Sequence, residues 1–172
     1  DQIIAHDDLQ PIKEFLTNYL QTQTVTETTC LKIIRFNPSM FKLVMDKYPE
    51  YLTDELIHIV LNFNGMLLCL MERPTLNHCL LAVQQNGLAL QFIQKDITYE
   101  ICYHAVKQNG LALEYVPDKY HNLELSYTAV SENSFAIKFV KPHLLTEMMM
   151  FKARCYIKYD KGTMVTIREH IL

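Results

Sequence analysis

Apolar residues recur along the middle of this chain in blocks that follow one another every 22 to 26 residues. The stretches QQNGLALQFI and KQNGLALEYV, which begin at Gln84 and Lys107, are nearly identical and lie 23 residues apart. Self-similarity at a fixed period is the signature of a repeat architecture. With one reference residue for each block, the blocks are centred on Ser39, Gly65, Gly87, Gly110 and Ser134.

Positions counted from the reference residue share their chemistry. The fifth residue before it is always apolar: Ile34, Val60, Ala82, Ala105 and Ala129. The third residue after it is apolar in all blocks but the first, which Lys42 marks as degenerate: Lys42, Leu68, Leu90, Leu113 and Ile137. Two buried segments therefore flank each reference residue.

Residues typical of helix N-caps stand twelve positions before four of the reference residues: Thr53, Thr75, Thr98 and Asn122. Thr146 continues this series one unit further. The cap leaves room for a helix of about eleven residues, which the glycine then ends in a left-handed conformation. Asn-Gly also signals a β-hairpin, but the flanking Leu, Ala, Gln and Glu favour helix. The sequence predicts an all-α fold, an α-solenoid of short helix-turn-helix repeats with atypical capping ends. The second helix of each repeat is expected to be buried except at its fourth residue after the reference: Leu43, Cys69, Gln91, Glu114 and Lys138.

Three regions are predicted. Residues 1–29 contain an amphipathic helix over Asp8–Gln21 and a polar linker, and residues 30–145 contain the repeat array. Residues 146–172 form a degenerate capping unit, with a helix to about Tyr159, a break at Gly162 and a last segment that is either helix or strand. The chain starts at Asp1, so a preceding segment is possible on this reading.

The segments LAVQQNGLALQFI and YHAVKQNGLALEYV resemble the tandem-repeat family catalogued as domain of unknown function 4116. The resemblance is strong over residues 75–116, good over 122–140 and loose over 53–71. It implies an intracellular repeat protein, cytoplasmic or in the host cytoplasm for a viral or effector protein, without an assigned chemistry. The family supplies no catalytic residues to transfer.

Composition narrows the function classes. The chain has 172 residues, is 49% hydrophobic and has a formal charge of −3, which gives little support to a general nucleic-acid-binding surface. The longest apolar run, over residues 65–71, is too short to cross a membrane. The five cysteines are widely spaced and are expected to be reduced, small buried residues. No cofactor or metal site and no catalytic group is expected, because the seven histidines fall in different columns and Asp7-Asp8 fits a helix start.

Equivalent positions of a solenoid form continuous rows, so a binding surface is the more promising prediction. The candidate partner face consists of rows two and three residues before the reference and outward residues of the second helix: Phe36, Asn62, Phe63, Gln84, Gln85, Lys107, Gln108, Gln91 and Glu114. We expect a protein-protein interaction scaffold or adaptor, alone or within a larger assembly, with a protein partner and no membrane. The alternative is a nucleic-acid-associated protein that uses a basic ridge in one turn of three units: Lys47, Arg73 and Lys95.

Overall fold

The computed structural model describes residues 25–157, and every regular element in that range is a helix. The α-helices are α1 Glu27–Phe36, α2 Phe41–Lys47, α3 Asp54–Phe63, α4 Leu76–Gln85, α5 Tyr99–Gln108, α6 Leu123–Glu132 and α7 Glu147–Ile157. The 3-10 helices are Pro38–Met40, Pro49–Tyr51, Gly65–Leu70, Gly87–Phe92, Gly110–Tyr115, Asp118–Tyr120, Ser134–Phe139 and Pro142–Leu144. The prediction of an all-α repeat fold is confirmed.

Two compact units divide the chain, Asp1–Val60 and Leu61–Leu172. In the described part of the first unit, α1 and α2 are followed by the start of α3, and an exposed ion pair joins Arg35 to Glu55 at 2.7 Å. In the second unit, α4 packs against α5, α5 against α6 and α6 against α7, and the 3-10 helices between them pack against one another. This unit therefore has an α-helical layer and a 3-10 layer, with the core between them.

Polar caps start the α-helices other than α2, as predicted. The Thr98 side chain accepts a hydrogen bond from the backbone N–H of Ile101 at 3.3 Å, and the Asn122 side chain does so from Leu125 at 2.8 Å. Such caps satisfy backbone donors that have no partner within the helix. The same cap column runs through the whole described segment: Thr26, Thr53, Thr75, Thr98, Asn122 and Thr146.

An asparagine forms the corner between the two helices of each repeat. Asn109 has an extended backbone, with φ −148° and ψ 110°. Its backbone N–H donates to the carbonyl oxygen of Ala105 at 2.9 Å, and its side-chain oxygen accepts from the N–H of Leu111 at 3.0 Å. One residue thus ends the α-helix and caps the 3-10 helix. The asparagine stands eleven residues after its cap in five repeats: Asn37, Asn64, Asn86, Asn109 and Asn133.

The prediction that the glycine at this corner has a left-handed backbone conformation is wrong. Among the described residues, no glycine has a positive φ, and the non-glycine residue that does is Asp96, at 57°. The asparagine makes the turn with ordinary extended angles, so the glycine after it has no conformational reason to be glycine. Its reason is steric and lies in the neighbouring repeat.

The asparagine also corrects the register of the first repeat. Asn37 is followed by Pro38, so Pro38 rather than Ser39 is the reference residue. Phe41 then takes the buried third position, and Lys42 takes the outward fourth position in place of Leu43, which is half-buried. The first repeat is therefore regular at these positions. Its helix begins at Glu27, so the array includes residues 27–29, which the sequence had assigned to the linker.

The second helix of the repeats in the larger unit is a 3-10 helix. With three residues per turn, residues three apart lie in line along one side. In Gly110–Tyr115 and its C-cap, this line consists of Gly110, Leu113 and Val116, all buried. The predicted outward fourth position is exposed in four repeats: Cys69, Gln91, Glu114 and Lys138. In the first repeat the prediction of Leu43 is wrong, because Lys42 is the exposed residue there. The expected burial of the rest of the second helix is wrong at Phe135, which is 43% exposed.

Cysteines occupy one inward column of the α-helices. Cys30, Cys79 and Cys102 are buried, as predicted, whereas Cys69 lies on the exposed fourth position and corrects that expectation. Burial raises the pKa of the Cys102 thiol to about 11 and also raises the pKa of Cys79. The predicted helix over residues 8–21, the break at residue 162 and the segment 166–172 lie outside the described residues.

Candidate interaction surface

Successive repeats approach closely where each reference glycine meets the next α-helix. A Cβ atom added to Gly110 would overlap the carbonyl oxygen of Ala129 and lie 2.9 Å from the backbone nitrogen of Asn133. Gly65 and Gly87 meet Ala82 and Ala105 in the same way. The obstacle is backbone rather than a movable side chain. Glycine in this column therefore sets the spacing between repeats.

A glutamine side chain forms two hydrogen bonds across the same contact between successive repeats. The Gln108 side-chain oxygen accepts from the backbone N–H of Gly87 at 2.6 Å, and its amide nitrogen donates to the carbonyl oxygen of Gln85 at 3.2 Å. These groups lie at the end of α4 and the start of the next 3-10 helix, where backbone groups lack partners within a helix. The amide side chain supplies one acceptor and one donor.

The same pair of hydrogen bonds recurs one repeat earlier. The Gln85 side chain accepts from Gly65 at 2.7 Å and donates to the carbonyl oxygen of Phe63 at 3.2 Å. In the repeat after Gln108 the equivalent residue is Glu132, whose carboxylate has no N–H to donate. We call the contacts of Gln85 and Gln108 the glutamine brackets.

The glutamine brackets show that two residues of the candidate partner face bind the preceding repeat. Gln85 and Gln108 are exposed in part, but their polar groups are used between repeats. Their neighbours Gln84 and Lys107 are exposed at the ends of α4 and α5. The glutamines two residues before the glycine therefore serve mainly to connect repeats rather than to bind a partner. The joint recurrence of Gln and Gly in the sequence could have indicated this role.

The other members of the candidate face lie in different places. Gln91 and Glu114 are exposed on the 3-10 layer, away from the α-helical layer that carries Gln84 and Lys107. Asn62 and Phe63 end α3, and Phe63 is 56% exposed. Phe36 ends α1 and is 77% exposed, and the corrected register moves it into the column of Phe63. The predicted face is therefore not one surface within the larger unit.

The predicted basic ridge loses one member. Pro38 as reference places Asp46 rather than Lys47 in the column, and Lys47 is the last residue of α2 rather than part of a turn. Arg73 and Lys95 remain equivalent, exposed turn residues of successive repeats. Binding of nucleic acid by this pair stays a prediction.

An apolar row that the sequence analysis did not single out crosses the α-helical layer; it is half-buried at Leu80 and Tyr103 and exposed at Tyr127 and Phe151. It consists of the fifth residue of each helix from α4 to α7, and we call it the aromatic row: Leu80, Tyr103, Tyr127 and Phe151. Tyr127 is 41% exposed and Phe151 is 65% exposed. Leu123 and Met148 extend the apolar surface beside it, at 52% and 58% exposure. The matching helix positions were readable from the sequence once the caps fixed the register.

Opposite charges border the aromatic row. Toward the helix N-termini lie Glu100, Glu124 and Glu147, exposed in the first turns of α5, α6 and α7. We call these three residues the acidic margin. Within it, the Glu124 carboxylate accepts a hydrogen bond from the Tyr99 hydroxyl at 3.1 Å.

Lysines contact the rings of the row itself. The Lys107 ammonium lies 5.9 Å from the ring centre of Tyr103, and that of Lys152 lies 4.5 Å from the ring centre of Tyr127. Lys152 also donates to the Ser131 hydroxyl at 2.8 Å. The hydrogen bond and charge of Lys152 lower the pKa of the Tyr127 phenol. These contacts hold the tyrosine rings in place on the outer surface of the layer.

Other features of the described residues give weaker indications of a functional site. No group of three His, Cys, Asp or Glu side chains is placed to hold a metal ion within residues 25–157. No described helix is both long and apolar enough to cross a membrane. His78 is buried and reciprocates the Thr75 cap, because its ring nitrogen lies 3.3 Å from the Thr75 backbone N–H. An open cleft of about 670 Å³ lies beside Asp96 and Lys119 at the turns between repeats.

One comparison with known proteins locates the repeats. The profile of the family described as Domain of unknown function (DUF4116) matches residues 79–121 and, overlapping them, residues 98–145. The predicted resemblance is confirmed for this segment, which begins within α4 and ends after the 3-10 helix Pro142–Leu144. No curated protein and no solved structure matches the chain significantly.

Proposed function

We propose that this chain is a non-catalytic helical-repeat protein that acts as a protein-interaction scaffold or adaptor. The observation that carries the proposal is the aromatic row on the α-helical layer. Aromatic side chains are enriched in the cores of protein interfaces, and contiguous exposed apolar surface marks interaction sites. Tyr127 and Phe151, together with the exposed Leu123 and Met148, provide such a surface over α6 and α7.

The joints between repeats prepare this surface for binding. The contacts of Gly87 and Gly110 with the next α-helix, together with the bracket of Gln108, fix how the repeats of α4, α5 and α6 pack on one another. Leu80, Tyr103 and Tyr127 are therefore held at defined separations before a partner arrives. A preorganised surface loses less conformational entropy on binding. The buried free thiols of Cys30, Cys79 and Cys102 support an intracellular location for this interaction.

Site-specific photo-crosslinking in cells tests the proposal. A photoreactive phenylalanine analogue replaces Tyr127 in the full chain, and the control carries it in place of Glu114 on the 3-10 layer. We expect a discrete protein adduct, identified by mass spectrometry, at position 127 and not at position 114. Adducts that are absent at both positions, or equal at both, would count against an interaction through the aromatic row.

A further inference from the structure

We infer that the aromatic row receives an amphipathic helix of a partner protein that carries Lys or Arg along the edge facing the acidic margin. This inference rests on the proposed function and adds the chemistry of the partner. It follows from two properties of the surface, namely the regular spacing of its apolar residues and the uneven distribution of its charges.

The spacing of the row matches the repeat of a helix. Neighbouring packed helices lie about 8–10 Å apart, and the row has one residue on each of four successive helices. Seven residues of an α-helix advance about 10.5 Å. A partner helix lying across α4 to α7 would therefore contact the row with four apolar residues about seven apart, which together span about 22 residues.

The charges favour a basic edge on that helix. Glu100, Glu124 and Glu147 stand in the same helical turn of three successive repeats, and none forms an ion pair with another described residue. Lys107 and Lys152, in contrast, are already placed against tyrosine rings. Complementary charge across an interface gives orientation and specificity. The acidic margin therefore selects a partner with cations on one edge.

Acidic residues in a first helical turn also stabilise the helix through its dipole. That contribution needs no partner, so the test must separate binding from stability. Charge reversal within the acidic margin separates the two effects when it is compared with the same charge reversal on the 3-10 layer. Glu114 provides the control, because it is exposed on the 3-10 layer. Thermal unfolding by circular dichroism verifies that each variant is folded.

Three fluorescein-labelled 22-residue peptides are the probes, measured by fluorescence anisotropy with the full chain. The first carries Leu at every seventh position and Lys along one edge. The second has Glu in place of each Lys, and the third keeps Lys but has Ser in place of each Leu. We expect the first peptide to bind at least about tenfold more tightly than either of the others, because only it matches both the apolar row and the charge.

Variants locate the binding. The double variant E100K/E124K should weaken binding of the basic peptide by about tenfold, and Phe151→Ser should weaken it by a similar factor, whereas Glu114→Lys should leave it unchanged. Equal binding of the acidic peptide, or an equal effect of Glu114→Lys, would overturn the inference. So would a dimer in sedimentation velocity that Tyr127→Ser dissolves, because a second copy would then occupy the row.

The two proposals can fail separately. If crosslinking at position 127 captures a partner through a segment without a basic edge, the partner chemistry inferred here is wrong and the scaffold function stands. If the peptides do not bind and no adduct forms at position 127, both are wrong.

Discussion

Replacing Gly110 with alanine tests the close approach of two repeats with a single methyl group. Gly110 has no positive φ, so alanine is compatible with its backbone. At such positions the substitution usually stabilises a protein by about 0.4–1 kcal/mol through the unfolded chain. Here the added Cβ would overlap the carbonyl oxygen of Ala129, and it would lie 3.1 Å from the carbonyl carbon.

The collision should outweigh the gain. Forcing an extra methyl group into packed structure costs about 1–3 kcal/mol, and a backbone carbonyl cannot rotate away as a side chain can. We therefore expect a net loss of about 1–2 kcal/mol in the free energy of unfolding. Valine at this position should cost more, because its two Cγ atoms add further volume at the same contact.

Urea denaturation followed by circular dichroism measures this loss. Ser134→Ala is the control, because Ser134 stands in the same column and already carries a Cβ, and it should change stability by less than about 0.5 kcal/mol. Adding Ala129→Gly should not rescue Gly110→Ala, since the obstacle is the carbonyl group of Ala129 and not its methyl group. An unchanged or raised unfolding midpoint for Gly110→Ala would refute the steric explanation.

Three further predictions concern the glutamine brackets and the thiols. Gln85→Ala should lower the free energy of unfolding by about 1–3 kcal/mol, because the partly buried N–H of Gly65 loses its acceptor. The neighbouring variant Gln84→Ala should change it by no more than about 0.5 kcal/mol in the same urea titration. Equal losses for the two variants would contradict the bracket. Glu132→Gln should raise the midpoint by supplying the missing donor, worth about 0.5–1.5 kcal/mol, and a lower midpoint would argue against it. Iodoacetamide at pH 8, followed by peptide mass spectrometry, should label Cys69 well before Cys102, whose pKa of about 11 keeps it protonated; equal labelling of the folded chain would be inconsistent with the burial of Cys102.

The sequence was sufficient to predict the repeats, the caps and the outward position of each second helix. These features depend on local chemistry that recurs in every repeat, such as a cap side chain that bonds three residues ahead. The 3-10 character of the second helix was also encoded, because apolar residues recur at the reference glycine and three and six residues after it. That period of three marks a 3-10 helix rather than an α-helix.

The errors arose where the reason for a residue lies in another repeat. Gly110 resembles a helix-ending glycine, but its neighbour across the joint requires the absence of a side chain. Gln108 resembles a surface residue, but it binds backbone groups 21 and 23 residues away. In the first repeat, Ser39 was used as the reference residue, although Pro38 is the residue that follows the corner asparagine. The constant asparagine, which makes the corner, was the better reference.

The aromatic row illustrates what a single sequence leaves open about function. Tyr103 and Tyr127 could have been buried or exposed, since an apolar residue at one helix position fits either face. Only the packing of the layers shows which side of α5 and α6 meets the core. The exposure of Tyr127 and Phe151 in this row, and hence the candidate binding surface, is a property of the assembled repeats.

Amide hydrogen exchange at Gly87 tests most directly whether glutamine side chains connect successive repeats. The Gly87 N–H is the first of a 3-10 helix and has the Gln108 side chain as its acceptor. Measured by NMR on the full chain, this amide should be protected in the natural protein and should lose that protection in Gln108→Ala. The amide of Asn109, which donates to Ala105 within its own repeat, should stay protected. Unchanged exchange at Gly87 would contradict the account.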